Sequence, residues 1–471
     1  MSDSFTIRVA RSLKDIAAGD WNACAADPTG AVDPFLDHAF FLSLEESKSA
    51  VRETGWLGHH LVLERGGVIA GILPCYLKSH SRGEYVFDAG WAEAYERAGG
   101  RYYPKLQASV PFTPATGRRL LFRPGEGADL ARAALVQGAA QVADEAGVSS
   151  LHVTFCPEDE WALMGEADYL QRTDTQFHFE NEGYGSFDDF LAALSSRKRK
   201  VIRRERRDAL EGNGITIRRL TGPELTEDVW DRFFEFYMDT GSRKWGRPYL
   251  TRAFYSMIGQ RMADRILLVM AEREGRYVAG AINFIGRDVL YGRHWGAVEN
   301  HPFLHFEVCY YQAIDYAIEK GLKRVEAGAQ GEHKLARGYK PVTTYSTHFI
   351  VDRGFRRAVD DYLQRERRYI AEAMAHCGEC HTQRNLLGAM DTARWLGGAP
   401  NPSGDGRIPN ITPGKLGWTS GDIVRFLTTG FTPEYDSVGG LMADVVENMA
   451  RLPESDRLAV AEYLLAVATV K

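Results

Sequence analysis

Five consecutive residues near the C-terminus, Cys377-Gly378-Glu379-Cys380-His381, place two thiols and an imidazole at a spacing that suits one cofactor. Cysteines three positions apart lie on one face of a helical turn, where both can form thioethers with the vinyl groups of a haem while the histidine ligates the iron. A zinc site would need a second pair of ligands, and a thioredoxin-type redox pair would follow a strand. The preceding segment has a helical pattern, so the spacing favours covalently bound haem c.

A haem of this type needs a sixth iron ligand, which is usually a methionine or histidine farther along the chain. Met442 follows a double-glycine turn and opens a predicted helix, from which its sulfur can reach the iron. Met390 is too close to His381 to reach across the macrocycle, and Met449 shares a periodic apolar face with its neighbours. We therefore expect His381 and Met442 to ligate the iron, with the two cysteines holding the haem.

The densest cluster of polar residues is the stretch EAGAQGEHKLARGY, which begins with Glu326 at the end of a predicted strand. Its glycines let backbone N–H groups approach an anion or a developing oxyanion. Lys334 and Arg337 are three residues apart, share a helical face and can neutralise negative charge. His333 and Glu326 can exchange protons, and Glu307 is expected to line the same cleft. The alternative is a glycine-rich surface loop with incidental charges.

Eight of the thirteen residues from Ser195 to Arg207 are basic, and the pattern predicts one helix that begins after the cap residue Ser186. A polyanion such as RNA, a nucleotide or an acidic membrane surface would bind to such a segment. Aromatic residues do not interleave the basic ones, which argues against base stacking. The other interpretation is a solvated helix that joins two domains.

Two similar hairpins are predicted about two hundred residues apart, at 61–73 and 269–282. Each has a glycine-containing turn at its centre, which is typical of two antiparallel strands. Long helices are predicted after them, at 128–145 and 306–320, and each helix is followed by a short strand. The repeated order of elements indicates two related α/β domains.

The chain of 471 residues is long enough for three domains, and it has 44% hydrophobic and 25% charged residues, as an ordinary globular protein does. Its net charge of −6 argues against a nucleic-acid binder that acts by bulk charge. No run of 18 apolar residues predicts a transmembrane segment, and the N-terminal residues lack a signal-peptide pattern. We therefore expect a cytoplasmic location, which conflicts with the periplasmic maturation expected for haem c.

About the last hundred residues resemble a class I cytochrome c domain, of the kind found in cytochrome subunits of membrane-bound bacterial dehydrogenases. The matching stretches are AHCGECHTQRN, GRIPNITPGKLGW, GLMADVVENMARLP and SDRLAVAEYLLAV. The resemblance implies a small all-α domain over residues 376–471, an electron-transfer role and a redox partner. Residues 355–374 have the pattern of one unbroken helix, so the domain's first helix is expected to begin near residue 356.

Residues 1–375 resemble the Fem-type peptidoglycan-biosynthesis branch of the GNAT acyltransferase superfamily. The stretches that carry this resemblance are YYPKLQASVPFTPATGRRLL, SSRKRKVIRRERR, TGSRKWGRPYLTRAF, AGAINFIGRDVLYGRHWG and HFEVCYYQAIDYAIEKGLKRVEAGAQGEHKLARGYKP. The resemblance implies two tandem GNAT-like acyl-CoA N-acyltransferase domains, at 1–185 and 186–375. The expected fold class is therefore α/β, followed by the small all-α cytochrome c domain.

The same resemblance implies transfer of an acyl or aminoacyl group to an amine of a small molecule or a cell-wall precursor. The donor would be acyl-CoA, as in ordinary GNAT enzymes, or aminoacyl-tRNA, as in better-known Fem-type relatives. Lys334 matches the lysine in the glycine-rich segment of the second domain. The usual acyl-CoA loop, with closely spaced glycines before a helix, is only faintly present at residues 113–119.

Two functional hypotheses follow. In the first, the chain is a cytoplasmic acyltransferase with Lys334 and Arg337 at the transferring carbonyl group and a vestigial or haem-free tail. In the second, it is a c-type cytochrome for electron transfer, and the GNAT-like part serves as a docking or regulatory module. The N-terminal pattern favours the first hypothesis, whereas the intact CxxCH motif with Met442 favours the second.

Overall fold

The computed structural model describes residues 4–125, 127–245, 248–328, 332–375, 377–384, 391–401, 406–439, 441–450, 452 and 454–470. The chain divides into two compact units, Met1–Arg356 and Arg357–Lys471. The boundary falls inside one helix, Arg353–Ala375, so the unbroken helix expected in this region is confirmed. None of the helices in the described ranges is long and apolar enough to cross a membrane.

The strands of the first unit form two sheets. In chain order they are β1 (Phe5–Ala10), β2 (Trp56–Gly58), β3 (His60–Arg65), β4 (Val68–Leu73), β5 (Cys75–Lys78), β6 (Lys105–Ala108), β7 (Leu121–Phe122), β8 (Ser150–Cys156), β9 (Leu170–Glu180), β10 (Ile215–Leu220), β11 (Ile266–Arg273), β12 (Arg276–Ile285), β13 (Val289–Ala297), β14 (Arg324–Glu326) and β15 (Lys340–Ile350). The smaller sheet has the order β1-β3-β4-β7, and the larger has the order β10-β11-β12-β13-β14-β9-β15-β8-β6-β5-β2.

Helices cover the two sheets. They are α1 (Ala18–Ala25), α2 (His38–Glu46), α3 (Ala89–Arg97), α4 (Ala128–Glu145), α5 (Glu158–Glu166), α6 (Phe187–Ala193), α7 (Ser196–Leu210), α8 (Glu227–Trp245), α9 (Arg252–Met262), α10 (Leu304–Phe306), α11 (Gln312–Glu319) and α12 (Arg353–Ala375). A π-helical segment, Glu307–Tyr311, joins α10 to α11. The helix predicted at 128–145 is confirmed by α4.

Both predicted hairpins are present as antiparallel pairs, β3 with β4 and β11 with β12. Their turns contain residues with positive φ, Gly66 and Gly67 in the first hairpin and Glu274 and Gly275 in the second. A third antiparallel strand, β1 or β10, lies beside each hairpin. The order of elements that suggested a repeat is therefore found in both halves of the first unit.

The region from Ser186 to Leu210 forms two helices and not the single helix predicted after Ser186. Ser186 caps α6 by accepting a hydrogen bond from the backbone N–H of Asp189. Ser195 caps α7 in the same way through the N–H of Lys198. The backbone of Leu194 is extended between them. A second capping serine therefore starts a new helix, which contains the basic residues.

Each half of the first unit ends in a strand that pairs with the other half. Strand β15, late in the chain, pairs with β8 of the first half. Strand β9, the last of the first half, pairs with β14 of the second half. β9 and β15 also pair with each other along nine residue positions. The halves thus exchange their final strands and complete one continuous sheet.

In the described residues of the second unit, α-helices alternate with two short strands. They are α13 (Cys377–His381), α14 (Pro413–Leu416), α15 (Ser420–Thr429), α16 (Leu441–Met449) and α17 (Glu454–Ala466), with β16 (Ala399–Pro400) and β17 (Arg407–Ile408). Its apolar core contains Leu396, Leu427 and Met449, as expected for Met449. The first unit has three separate apolar cores.

Candidate functional site

The candidate site lies where the parallel pairing of β13 and β14 ends. They pair at only three positions, because β14 ends at Glu326 whereas β13 continues to Ala297. Gly292 follows the last pair, and a Cβ atom there would lie 3.5 Å from the backbone oxygen of Glu326. Ala327 still lies beside Gly292, so the Glu326 carboxyl group is at the last paired position of β14.

The Glu326 side chain is only 3% exposed and lies close to charged and polar groups on two strands. Arg324 Nη2 is 2.9 Å from Oε1, and His178 Nε2 on β9 is 3.9 Å from Oε2. Burial raises the pKa of Glu326 to about 7, against the lowering effect of Arg324. Burial also lowers the pKa of His178 to about 3, so this ring is neutral. Near neutral pH, Glu326 can therefore both take up and release a proton.

The segment that faintly resembles an acyl-CoA loop contacts the same strand. Gln176 of β9 donates a hydrogen bond from Nε2 to the carbonyl oxygen of Pro114, at 3.0 Å. Its Oε1 is 3.3 Å from Nε2 of His178. The backbone of Thr116 lies near the Glu326 carboxyl group and lowers its pKa. Two segments that are distant in the sequence are therefore brought together at β9.

Lys334 lies in the short 3-10 helix Glu332–Arg337 and is 1% exposed. Its Nζ donates to the carbonyl oxygen of Gly328, at 3.0 Å. Burial lowers the pKa of Lys334 from 10.5 to about 8. Its positive charge adds to burial and to Arg324 in lowering the pKa of His178, so Lys334 lies within electrostatic range of that ring. His333 belongs to the same helix, and its side chain lies outside the described residues.

The charge of Arg337 is compensated inside the protein. Its Nη2 is 2.8 Å from Oε1 of Glu205 on α7, and both side chains are less than a tenth exposed. The guanidinium carbon lies 3.3 Å from the centre of the Phe306 ring. Glu205 also accepts a hydrogen bond from the Tyr311 hydroxyl. These contacts attach α7 to the helix that carries Lys334.

Glu307 has a similar role in the π-helical segment, where it is fully buried. Arg206 of α7 donates to its two carboxylate oxygens, from Nε at 3.1 Å and from Nη2 at 3.0 Å. Gln312 Nε2 donates to Oε1 at 2.7 Å. The same arginine donates to Asp315 at 2.7 Å. Glu307 and Arg206 therefore anchor the inner face of α7.

Among the exposed cations on the outer face of α7 are Arg197, Lys200 and Arg204, which we call the basic stripe. Their spacing of three and four residues places them on one side of the helix. None of the three has an acidic partner among the residues that the structure describes. The neighbouring Arg203, by contrast, lies 3.0 Å from Asp188. The stripe is therefore a line of uncompensated positive charge.

In the second unit, one of the predicted haem-binding residues, His381, has a fixed orientation. His381 is buried, and its Nδ1 lies 2.8 Å from the carbonyl oxygen of Pro409. Such a bond fixes the ring and leaves Nε2 for a metal. Cys377 and Met442 pack against the core of this unit, whereas Cys380 is exposed. The described residues contain no cluster of three or more His, Cys, Asp or Glu side chains suited to a metal ion.

A buried polar face in the first half was missed by the sequence analysis. Polar side chains alternate along three neighbouring strands, and each is at most 4% exposed: Lys105 and Gln107 on β6, Ser150 and His152 on β8, and Ser346 and His348 on β15. Alternate residues of a strand point to one face of the sheet. That alternation is visible in the sequence, but it is typical of a solvated face and did not reveal that these residues are buried together.

Comparisons with known proteins give separate matches for the two parts of the chain. A diheme cytochrome c-type protein of Cereibacter sphaeroides is 59% identical over 104 residues, which are 22% of this chain and 35% of that protein. The fructose dehydrogenase cytochrome subunit of Gluconobacter japonicus is 36% identical over 104 residues, 21% of each chain. The chain thus spans about a third and a fifth of the length of these relatives.

The crystal structure of FemX aligns with a TM-score of 0.46 and 12% identity, over 73% of this chain and 98% of that chain. A model of the FemAB-like family, described as peptidoglycan biosynthesis/recognition, matches residues 12–384. This match covers more than half of the sequence. The chain therefore belongs to the FemAB-like family.

Proposed function

We propose that the first unit transfers an acyl or aminoacyl group to an amine, with Glu326 as the general base. Family membership indicates a transferase. The observation that supports this reaction is the buried carboxyl group, with a pKa of about 7, at the end of β14 beside Lys334 and His178. An amine loses a proton as it attacks a carbonyl carbon, and a base acts best when its pKa lies near the working pH.

In the proposed step, the amine nitrogen bonds to the carbonyl carbon, and the C–O or C–S bond to the donor breaks. Glu326 takes the proton from the nitrogen. The ammonium group of Lys334 stabilises the oxyanion that forms on the carbonyl oxygen, and its lowered pKa also allows it to protonate the leaving group. Arg337 and Glu307 position α7, and His333 remains a predicted site residue.

The donor is acyl-CoA or aminoacyl-tRNA, and the acceptor is an amine of a small molecule or a cell-wall precursor. The basic stripe supports a donor that carries phosphates. Because Arg337 and Glu307 attach α7 to the site, phosphates bound on the stripe would be held at a fixed distance from Lys334. The repeated hairpins and the exchanged strands support two tandem GNAT-like halves, 1–185 and 186–375.

The test uses the full chain with labelled aminoacyl-tRNA or acetyl-CoA and a panel of amines that includes muropeptide precursors. Glu326→Gln and Lys334→Ala are each expected to lower turnover by about 10²–10³-fold. Glu274→Gln and Lys320→Ala change exposed residues and serve as matched controls. Unchanged turnover in either site variant removes that residue from the mechanism, and no amide product with either donor contradicts the reaction itself.

We further propose that residues 377–470 bind haem c and transfer electrons to a redox partner. The orientation of His381 and the 59% identity to a diheme cytochrome support this second function. Cys377 and Cys380 would form the thioethers, and His381 and Met442 would ligate the iron. Haem supplies one-electron transfer when it is bound.

Two preparations of the chain test the second function, one made in the cytoplasm and one exported to the periplasm with haem-attachment enzymes. Covalent haem is read from the absorption spectrum and from the intact mass. We expect haem only on the exported chain, because only that chain meets the haem-attachment enzymes. Absence of haem from both preparations would contradict the proposal.

A further inference from the structure

A second carboxyl group lies near Glu326, on a segment from the first half of the chain. Asp33 precedes α2, and its Oδ2 accepts a hydrogen bond from the Tyr291 hydroxyl at 2.7 Å. Tyr291 is the register partner of Glu326 in the parallel pair of β13 and β14, so the two side chains lie next to each other on one face of the sheet. Burial and the charges of Asp33 and Glu326 raise the pKa of Tyr291 well above its usual range, so its hydroxyl keeps the proton.

The hydrogen bonds indicate which of the two carboxyl groups carries the negative charge. A phenol has a single proton to donate, and Tyr291 donates it to Asp33. The backbone N–H of Phe35 donates to the other oxygen of Asp33, Oδ1, at 2.9 Å. Neither carboxyl oxygen of Glu326 accepts a well-aligned hydrogen bond from the described residues, although Arg324 lies beside it. Hydrogen bonds to a carboxylate stabilise its charged form, so Asp33 is the ionised member of the pair.

The two carboxyl groups compete for one negative charge, because like charges repel. Burial is the main cause that raises the pKa of Glu326, and the charge of Asp33 adds to it, against the lowering effect of Arg324. Burial also raises the pKa of Asp33, and its hydrogen-bond donors oppose that rise. Arg119 and Arg265 lie within electrostatic range of Asp33 and likewise favour its charged form. Below about pH 7 the pair therefore has the charge on Asp33 and the proton on Glu326.

The groups that approach Glu326 from other elements do not oppose its ionisation. His178 of β9 has its Nε2 3.9 Å from Oε2, and its ring is neutral because burial lowers its pKa to about 3. Lys334 of the 3-10 helix is a cation within electrostatic range of that ring. The backbone of Thr116 lowers the pKa of Glu326. Asp33 is therefore the charged neighbour that works with burial to keep the proton on Glu326.

We propose that Asp33 is a positioning residue of the transfer reaction: held by the Tyr291 hydroxyl, its negative charge makes Glu326 a stronger base and sets the pH at which that base becomes ionised. The inference rests on the proposed function, in which Glu326 takes the proton of the attacking amine. A carboxylate with a higher proton affinity accepts that proton more readily than an ordinary one. The first half of the chain thus controls the protonation of a base that the second half carries.

The experiment titrates the full chain, labelled with ¹³C at the glutamate side-chain carboxyl groups, by NMR. The Glu326 signal is the one that Glu326→Gln removes, and its midpoint is expected near pH 7. Asp33→Asn removes the charge but keeps an oxygen that can accept from Tyr291, and it should lower this midpoint by about one pH unit. Asp27→Asn is the matched control, because it removes a carboxylate from the same segment that pairs instead with Arg287, at 3.2 Å.

Tyr291→Phe keeps the ring and removes the donor that holds the charge on Asp33, so the Glu326 midpoint should fall here too. The double variant Asp33→Asn/Tyr291→Phe should fall no further than Asp33→Asn alone. If Asp33→Asn does not fold, Tyr291→Phe provides the test by itself.

The pH at which turnover rises should move down with the NMR midpoint. An unchanged midpoint in Asp33→Asn, or an equal shift in Asp27→Asn, overturns the inference whether or not a substrate has been found. A shifted midpoint with an unshifted turnover profile overturns the catalytic role of Asp33 and places the failure in the assignment of Glu326 as the base.

Discussion

Replacing Arg337 by alanine should destabilise the first unit far more than a typical surface substitution does. The ion pair with Glu205 has side-chain exposures of 8% and 6%, so its loss leaves a buried carboxylate without a countercharge. Breaking a buried pair in this way costs about 3–5 kcal/mol. The Tyr311 hydroxyl still donates to Glu205 in the variant, which favours the lower part of that range.

A matched pair on the same helix provides the control. Arg203 and Asp188 are 3.0 Å apart, but their side chains are 61% and 78% exposed. Arg203→Ala should therefore cost only about 0–1 kcal/mol. The double variant Arg337→Ala/Glu205→Gln should regain most of the lost stability, because it removes the stranded charge together with its partner.

Guanidinium unfolding followed by tryptophan fluorescence measures the effect, since seven of the nine tryptophans precede residue 357 and report mainly on the first unit. A loss below about 1 kcal/mol for Arg337→Ala, equal to that of Arg203→Ala, would refute the reasoning. If turnover fell at unchanged stability, Arg337 would instead contact the substrate, as the sequence analysis expected.

Three further predictions concern the other sites. Turnover should rise with pH through about 7 as Glu326 loses its proton. The free energy of unfolding, measured by denaturant titration, should fall by up to about 3 kcal/mol between pH 5 and 8, because the folded pKa of Glu326 is raised above the unfolded value of 4.5. Glu326→Gln should lose both pH dependences. Alanine at all three positions of the basic stripe should make the slope of log tRNA affinity against log salt concentration shallower by about 2–3. Arg203→Ala should change this slope less. An unchanged slope in the triple variant would exclude the stripe from donor binding. In exported chain, Met442→Ala should retain covalent haem but lose the absorption band of methionine-ligated iron, whereas Met449→Leu should keep that band; the reverse pattern would reassign the ligand.

Local patterns predicted local structure well. The two hairpins follow from glycine-containing turns between apolar segments, and α4 follows from helical periodicity that ends at Gly147. The basic residues lie in a separate helix because Ser195 caps α7, whereas the sequence analysis treats only Ser186 as a cap. The cytochrome-like residues are recognisable in the sequence because covalent attachment of haem itself requires the CxxCH spacing.

The partners within each site depend on contacts that a single sequence does not reveal. Glu205 and Arg337 are 132 residues apart in the sequence, and the hydrogen-bonded His152 and His348 are 196 residues apart. The pairing of β15 with β8 brings the two histidines together, and the packing of α7 on the 3-10 helix Glu332–Arg337 brings Glu205 to Arg337. The sequence therefore indicated Lys334 and Glu326 as candidates, but not that Arg337 and Glu307 are already paired with α7.

The exchange of final strands has a consequence for synthesis on the ribosome. Strand β8 cannot receive β15 until the 196 residues between His152 and His348 have been translated. At roughly 5–20 residues per second this takes about 10–40 s. During that interval the β8 edge exposes unpaired N–H and C=O groups that invite pairing with other nascent chains. The first half is thus expected to depend on chaperones until the second half leaves the exit tunnel.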